Sequence, residues 1–131
     1  MDHRTYKTFL RGVKANGSTL KGVPDKHKTF ELYLAAVSNC GKLICRVPLE
    51  FMTPELCLAA AKQYGGALYN MNEEQKTFEV CLAAVKNSPL TIIYVPEEHK
   101  TPELCLVAIK RDPEALKWCP YSILELLSLA V

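Results

Sequence analysis

The sequence predicts an all-α protein, five tandem 24-residue helix-turn-helix repeats stacked as a short α-solenoid, and three observations carry that prediction. Thr5, Thr29, Thr53, Thr77 and Thr101 stand 24 residues apart without an insertion. Each threonine begins a variant of one phrase, as in Thr53-Pro-Glu-Leu-Cys-Leu-Ala-Ala-Ala-Lys, Thr77-Phe-Glu-Val-Cys-Leu-Ala-Ala-Val-Lys and Thr101-Pro-Glu-Leu-Cys-Leu-Val-Ala-Ile-Lys. A fixed period of this length marks units that bury a continuous core only against their neighbours. The phrase is also apolar around most of a helix circumference, which requires cover on more than one side. The copies span residues 5–28, 29–52, 53–76, 77–100 and 101–124, and residues 121–131 read as a closing helix, so 1–131 form one domain.

Each repeat opens with a helix start. The threonine hydroxyl caps a free amide, Pro54 and Pro102 suit the first turn, and Glu31, Glu55, Glu79 and Glu103 meet the positive end of the helix dipole. About ten residues later Gly17, Gly41 and Gly65 are expected to end the helix in a left-handed conformation. In the last two repeats Ser88-Pro89 and Asp112-Pro113 read as the cap and first residue of a new helix. That second, short helix carries Leu20, Ile44, Leu68, Ile92 or Leu116 and is stopped by Pro24, Pro48, Pro96 or Pro120, with Asn72 in the third copy. Thr91–Val95 alone would read as a strand from its β-branched residues, but its alignment with Ala115–Cys119 makes it helix. The paired alanines, such as Ala35-Ala36, Ala59-Ala60 and Ala83-Ala84, remove bulk where neighbouring helices are expected to meet. Terminal copies are expected to be atypical, and the apolar tail from Tyr121 reads as a cover for the last repeat or, alternatively, as a dimer or partner surface.

Composition excludes more than it identifies. With 49% hydrophobic residues the chain buries a core, and a formal charge of +2 gives no strong overall field for nucleic acid or acidic membranes. The charge is concentrated in repeat one, where six cations face Asp25 alone, a net +5. Neither a secretory signal nor an apolar run of membrane-spanning length is visible, so the expectation is a cytoplasmic protein without membrane contact, secretion as an effector remaining open. Asn16-Gly17-Ser18 matches a glycosylation acceptor and is read as a turn. Cys57, Cys81 and Cys105 share a repeat position with Phe9 and Tyr33, which marks them as buried reduced thiols and not a disulfide framework; Cys40, Cys45 and Cys119 are left open.

Tests for chemistry return little. His27 and His99 share a position three repeats apart, about 25–30 Å at one helix-packing distance per repeat, too far for one zinc. The repeated cysteines lack the singularity of a catalytic thiolate, and no phosphate loop or hydrolase motif appears. Glu73-Glu74 and Glu97-Glu98 read as solvated turns. No enzyme, cofactor, metal site or small-molecule substrate is therefore expected.

Two constellations stand above this background. Lys7, Arg11 and Lys14 place three cations on one helix face, where later copies have Glu31/Ala35/Ser38, Glu55/Ala59/Lys62, Glu79/Ala83/Lys86 and Glu103/Val107/Lys110. The stripe suits a soluble end cap, an acidic partner or a nucleic-acid backbone. Tyr69, Tyr94 and Trp118 lie at adjoining positions of the second helices and would align along one edge, as core filling or as partner anchors.

The units at residues 95–110, Val-Pro-Glu-Glu-His-Lys-Thr-Pro-Glu-Leu-Cys-Leu-Val-Ala-Ile-Lys, and at residues 52–68 resemble a family of bacterial repeats, the domain of unknown function numbered 4116. The resemblance implies a helical repeat found in bacteria, including host-associated ones, and brings no catalytic residues. The expected function is a non-enzymatic protein-binding module, an adaptor or inhibitor with an extended helical-repeat surface. The alternatives are nucleic-acid binding through repeat one, or an effector or mobile-element antagonist of a nucleic-acid enzyme.

Overall fold

A computed structural model of the protein describes residues 3–129, all of it helices joined by short connections, with no strand among the described residues. Six α-helices appear in chain order: α1 (His3–Ala15), α2 (Phe30–Asn39), α3 (Pro54–Gln63), α4 (Phe78–Asn87), α5 (Pro102–Arg111) and α6 (Ile123–Leu129). The threonine caps form as the sequence requires. The hydroxyls of Thr29, Thr53, Thr77 and Thr101 accept from the amides of Leu32, Leu56, Val80 and Leu104 at 3.2–3.3 Å. Repeat one differs, because α1 begins at His3 and Thr5 lies inside it instead of capping it.

The expected second helix is present as a six-residue 3-10 helix at Gly17–Gly22, Gly41–Arg46, Gly65–Asn70, Pro89–Tyr94 and Pro113–Trp118. Thr91–Val95 is thus helical in spite of its β-branched residues. Six residues wound as 3-10 reach about 12 Å, against about 9 Å as α-helix, so the short segment runs back along most of its roughly 15 Å partner. The prolines that end it also open a second turn: Pro24, Pro48 and Pro96 precede further 3-10 turns at Asp25–His27, Leu49–Phe51 and Glu97–His99.

The left-handed glycines do not occur. No residue among those described has a positive φ. Glycine is required at these places by a close approach of backbones instead: a Cβ on Gly41 would lie 2.6 Å from the Ala60 carbonyl oxygen, one on Gly65 2.6 Å from that of Ala84, and one on Gly17 2.9 Å from that of Ala36. Each of these carbonyls belongs to the long helix of the following repeat. The same junction is tied by amide side chains. Asn39 Oδ1 accepts from Gly17 N at 2.7 Å and Asn87 Oδ1 from Gly65 N at 2.7 Å, while Asn87 Nδ2 donates to the Lys62 and Gln63 carbonyls at 3.2 and 3.3 Å. Gln63 Nε2 reaches the Ser38 carbonyl at 3.1 Å. Helix-end carbonyls that would lack partners are so satisfied from the next repeat.

The core runs through every repeat. Leu32, Leu56, Val80 and Leu104 are buried, as are Ala36, Ala60, Ala84 and Ala108 and the small-helix residues Leu20, Ile44, Leu68 and Ile92. Of each alanine pair only the second enters this seam; Ala35, Ala59 and Ala83 are partly exposed. Consecutive long helices α1 to α5 touch in chain order, and the successive 3-10 segments from Gly41–Arg46 onward do the same. Cys57, Cys81 and Cys105 are buried free thiols, as their exchange with Phe9 and Tyr33 requires. Two of the cysteines left open fall at repeat positions of known role: Cys119 aligns with Val23, Val47, Met71 and Val95 and packs on the core, and Cys40 caps a 3-10 segment as Tyr64 and Ser88 do. His27 is buried with its ring 5.3 Å from Phe9, the place that Phe51 takes against Tyr33 at 5.3 Å, so this histidine is a core filler.

The closing helix expected over 121–131 spans Ile123–Leu129, residues 130 and 131 lying outside the described range. Ser122 caps it through Glu125 N at 3.1 Å, and Leu126 is buried where α6 meets α5. Closure is only partial, because Ile123, Leu124, Leu127 and Leu129 stay exposed, Leu124 at 75%.

Candidate functional site

The long helices do more than pack on each other. Where a core position recurs every 24 residues, so does a surface position, and on α2, α3 and α4 the sequence Glu-x-x-Leu-Ala-x-x-Lys (Ser38 in α2) puts a carboxylate, an apolar step and a cation on one face. Three cavities lie on that face. The first, of about 400 Å³, is lined by Lys14, Glu31, Leu34, Ala35, Ser38 and Asn39. The second, of about 460 Å³, shares Leu34 and Ser38 with it and adds Glu55, Leu58, Ala59, Lys62 and Gln63. The third, of about 520 Å³, shares Leu58 and Lys62 with the second and continues to Glu79, Leu82, Ala83, Lys86, Asn87 and Arg111. Shared walls make the three one groove running across the helices from α1 to α5.

The floor is apolar and the margins are charged with opposite sign. Leu34, Leu58 and Leu82 are partly buried; Glu31, Glu55 and Glu79 line one side, and Lys14, Lys62 and Lys86 the other, all exposed. Dipole stabilisation accounts for part of this pattern, with acids in first turns and bases in last turns. These groups nevertheless take no part in ion pairs among the described residues. Every ion pair among the described residues lies elsewhere, mostly within turns: Lys28–Asp25, Lys76–Glu73, His99–Glu98, Lys100–Glu97 and Lys117–Glu114. Of the six, Glu31 has a polar side-chain contact, receiving a hydrogen bond from Tyr6 Oη at 3.3 Å.

The cationic stripe of α1 divides. Lys14 is part of the groove, whereas Lys7 and Arg11 are exposed on the same helix and line none of the three cavities. The aromatic edge divides too. Tyr69 and Tyr94 meet edge to face with ring centroids 5.5 Å apart and, with Tyr64, Gly66, Asn70, Ser88 and Thr91, line a separate cavity of about 420 Å³. Trp118 is 47% exposed and has no ring partner among the described residues. Tyr69, at 72% exposure, is no core residue, while Tyr94 is partly buried. The Lys42 ammonium sits 5.5 Å from the Tyr64 ring centroid, a cation–π contact beside this cavity.

The three repeated thiols are poor nucleophiles. Burial pushes Cys57 above its ordinary value, Cys81 to about 11 and Cys105 to about 12, the last also through its neighbour Cys119. A thiol held protonated at neutral pH is a poor attacking group. Among the described residues no three His, Cys, Asp or Glu side chains gather as metal ligands, and no helix is long and apolar enough to cross a membrane.

The groove is the feature that the sequence reading passes over, although the faces that line it align in every copy. The signal is present: a leucine at the sixth repeat position that never changes, beside a carboxylate and a cation that recur with it.

Fold and site together define an all-helical chain with an extended charged groove. Residues 77–124, copies four and five of the sequence repeat, match the family described as Domain of unknown function (DUF4116), in agreement with the resemblance at residues 95–110. The similar unit at 52–68 lies outside the matched stretch. No curated protein and no solved structure matched the chain.

Proposed function

We propose that the chain is a short α-solenoid of five 24-residue repeats that serves as a non-enzymatic protein-interaction module, an adaptor or an inhibitor, and that a protein partner lies in the groove of α1 to α5. One observation carries this reading: three cavities share walls to form a single groove whose charged margins have no ion-pair partners among the described residues. Uncommitted charges beside an apolar floor are what an interface with a hydrophobic centre and polar rim needs. The buried, protonated thiols favour a binding role over catalysis. The exposed leucines of α6 support a second contact, self-association included.

The test is capture of partners from the source cell by wild type, by Leu58→Glu/Leu82→Glu and by Tyr94→Ala/Trp118→Ala. The groove reading expects a partner that is lost with the first variant and kept with the second. Loss with the aromatic variant alone moves the site to the Tyr69–Tyr94 edge, and equal recovery by all three excludes both surfaces.

Nucleic-acid binding through repeat one is the second reading, favoured by Lys7 and Arg11, which are exposed and without an ion pair among the described residues. If Lys7, Arg11 and Lys14 each contact a phosphate, their joint change to alanine lowers the slope of log K against log salt by about 2–3. Absence of RNA and DNA binding at low salt removes this reading.

A further inference from the structure

We infer that the occupant of the groove is an amphipathic α-helix with an apolar stripe, one basic flank and one acidic flank. The inference rests on the groove as a protein-binding site and adds the shape and charge of the partner.

Width comes first. Within each long helix the carboxylate and the cation are seven residues apart, so the rows Glu55–Glu79 and Lys62–Lys86 run about 10 Å from each other along the helix axes. An α-helix with its side chains is about 10–12 Å across and touches both rows while its stripe rests on Leu58 and Leu82. An extended strand needs only about 4.8 Å in that direction and meets one row at a time.

Spacing points the same way. Neighbouring long helices packed at about 8–10 Å present one leucine each, and residues seven apart on a partner helix advance about 10.5 Å and return to nearly the same face. A strand alternates its side chains every residue and falls out of phase over the same distance. The groove from Lys14 to Arg111 crosses five helices, four steps or roughly 32–40 Å, which a partner of about 21 residues fills.

Charge supplies the third argument. The two rows carry opposite signs and neither is neutralised by an ion pair among the described residues, so a helix with flanks of both signs is attracted along both margins. A helix with two flanks of one sign is repelled along one margin. Rotating the mixed helix by half a turn about the surface normal exchanges its flanks, so their arrangement sets the direction of binding and not its strength.

The experiment uses the full chain and four labelled synthetic peptides of about 21 residues, with binding followed by fluorescence anisotropy at low salt. One peptide has a leucine stripe with a lysine flank and a glutamate flank; two have all-lysine or all-glutamate flanks; the fourth has the mixed composition with two central prolines that prevent a helix. The mixed peptide is expected to bind at least about tenfold tighter than each of the others. In K62E/K86E, whose fold is checked by circular dichroism, both margins are acidic and the preference passes to the all-lysine peptide. Equal binding of the proline peptide, no binding of the mixed peptide at about 1 mM, or a preference unmoved by the charge reversal overturns the inference. Such a failure, together with partner capture that still depends on Leu58 and Leu82, would leave the groove as a protein-binding site for a non-helical segment.

Discussion

Gly65→Ala isolates the close approach between repeats. The new methyl group would sit 2.6 Å from the Ala84 carbonyl oxygen, 3.0 Å from Ser88 Cβ and 3.1 Å from Thr91 Cγ2. The first of these is backbone in the middle of α4 and has no rotamer by which to withdraw. Relief requires α4 and its attached segment to shift, which belongs with overpacking at about 1–3 kcal/mol. Against it stands the gain from a stiffer unfolded chain, about 0.4–1 kcal/mol, available because the glycine has no positive φ. The net expectation is a loss of about 1–2 kcal/mol, or roughly 3–8 °C in Tm for a chain of this size. Gly22→Ala provides the control within the same molecule, since a Cβ there meets nothing within 4 Å. Only the unfolded-state gain remains, so it should be neutral or slightly stabilising. Thermal and urea unfolding of both variants read the difference. A Gly65→Ala protein as stable as Gly22→Ala would refute the claim that glycine is required by contact between neighbouring backbones.

Ala84→Leu, in the same seam where Ala84 is fully buried, should cost about 1–3 kcal/mol, and an unchanged Tm would count against the seam. Asn87→Ala removes the acceptor of the Gly65 amide and the donor to two carbonyls, so a loss of about 1–3 kcal/mol is expected in urea titrations, with Lys86→Ala as the neutral comparison. The raised thiols contribute to the alkaline limb of stability: between pH 9 and about 11 the unfolded chain has released protons that Cys81 still binds when folded, so this contribution falls as pH rises through that window. Cys81→Ala should flatten this limb, and a limb identical to wild type would contradict the burial of the thiol. Cys45, exposed on its 3-10 segment, should react with a thiol reagent at pH 8 well before Cys57 or Cys105 in the folded protein.

Local rules carried the helices and failed where two repeats meet. Thr29, Thr53, Thr77 and Thr101 act on amides three residues away, and such contacts are legible from spacing alone. The glycines were legible as special but not for the right reason. A left-handed cap and a close backbone approach both select glycine, and only the position of the next helix distinguishes them. The amides of Asn39, Gln63 and Asn87 bond across 22–25 residues, which no local pattern announces. Likewise Tyr94 and Trp118 share a repeat position, yet Tyr69 is the ring that meets Tyr94, because contact depends on where the neighbouring 3-10 segment places its side chains.

The junctions and the groove divide each long helix between two tasks, and on the proposed binding role the division locates where recognition would be written. The second alanine of each pair, the leucine or valine after the glutamate and the asparagine or glutamine at the helix end face neighbouring repeats and are held by packing or hydrogen bonds. The glutamate and the lysine face the groove and are exposed, while the leucine and the first alanine line it with part of their surface packed against the core. A change at the first set alters the scaffold, while a change at the exposed glutamate or lysine alters the surface with the scaffold intact. The copies depart from one another at the groove positions too, apart from the constant leucine: Lys7 stands for the glutamate, Ser38 for the lysine, Arg11 and Val107 for the alanine. The lysine row is consequently interrupted at α2, and outside the groove repeat one carries Lys7 in place of the glutamate. On the proposed binding role, a partner matched to this interruption would be positioned along the groove as well as across it, because a shift by one repeat would leave a charge opposite Ser38. Rigid junctions make that register meaningful, since a groove whose ridges slid past each other would present no fixed spacing to read.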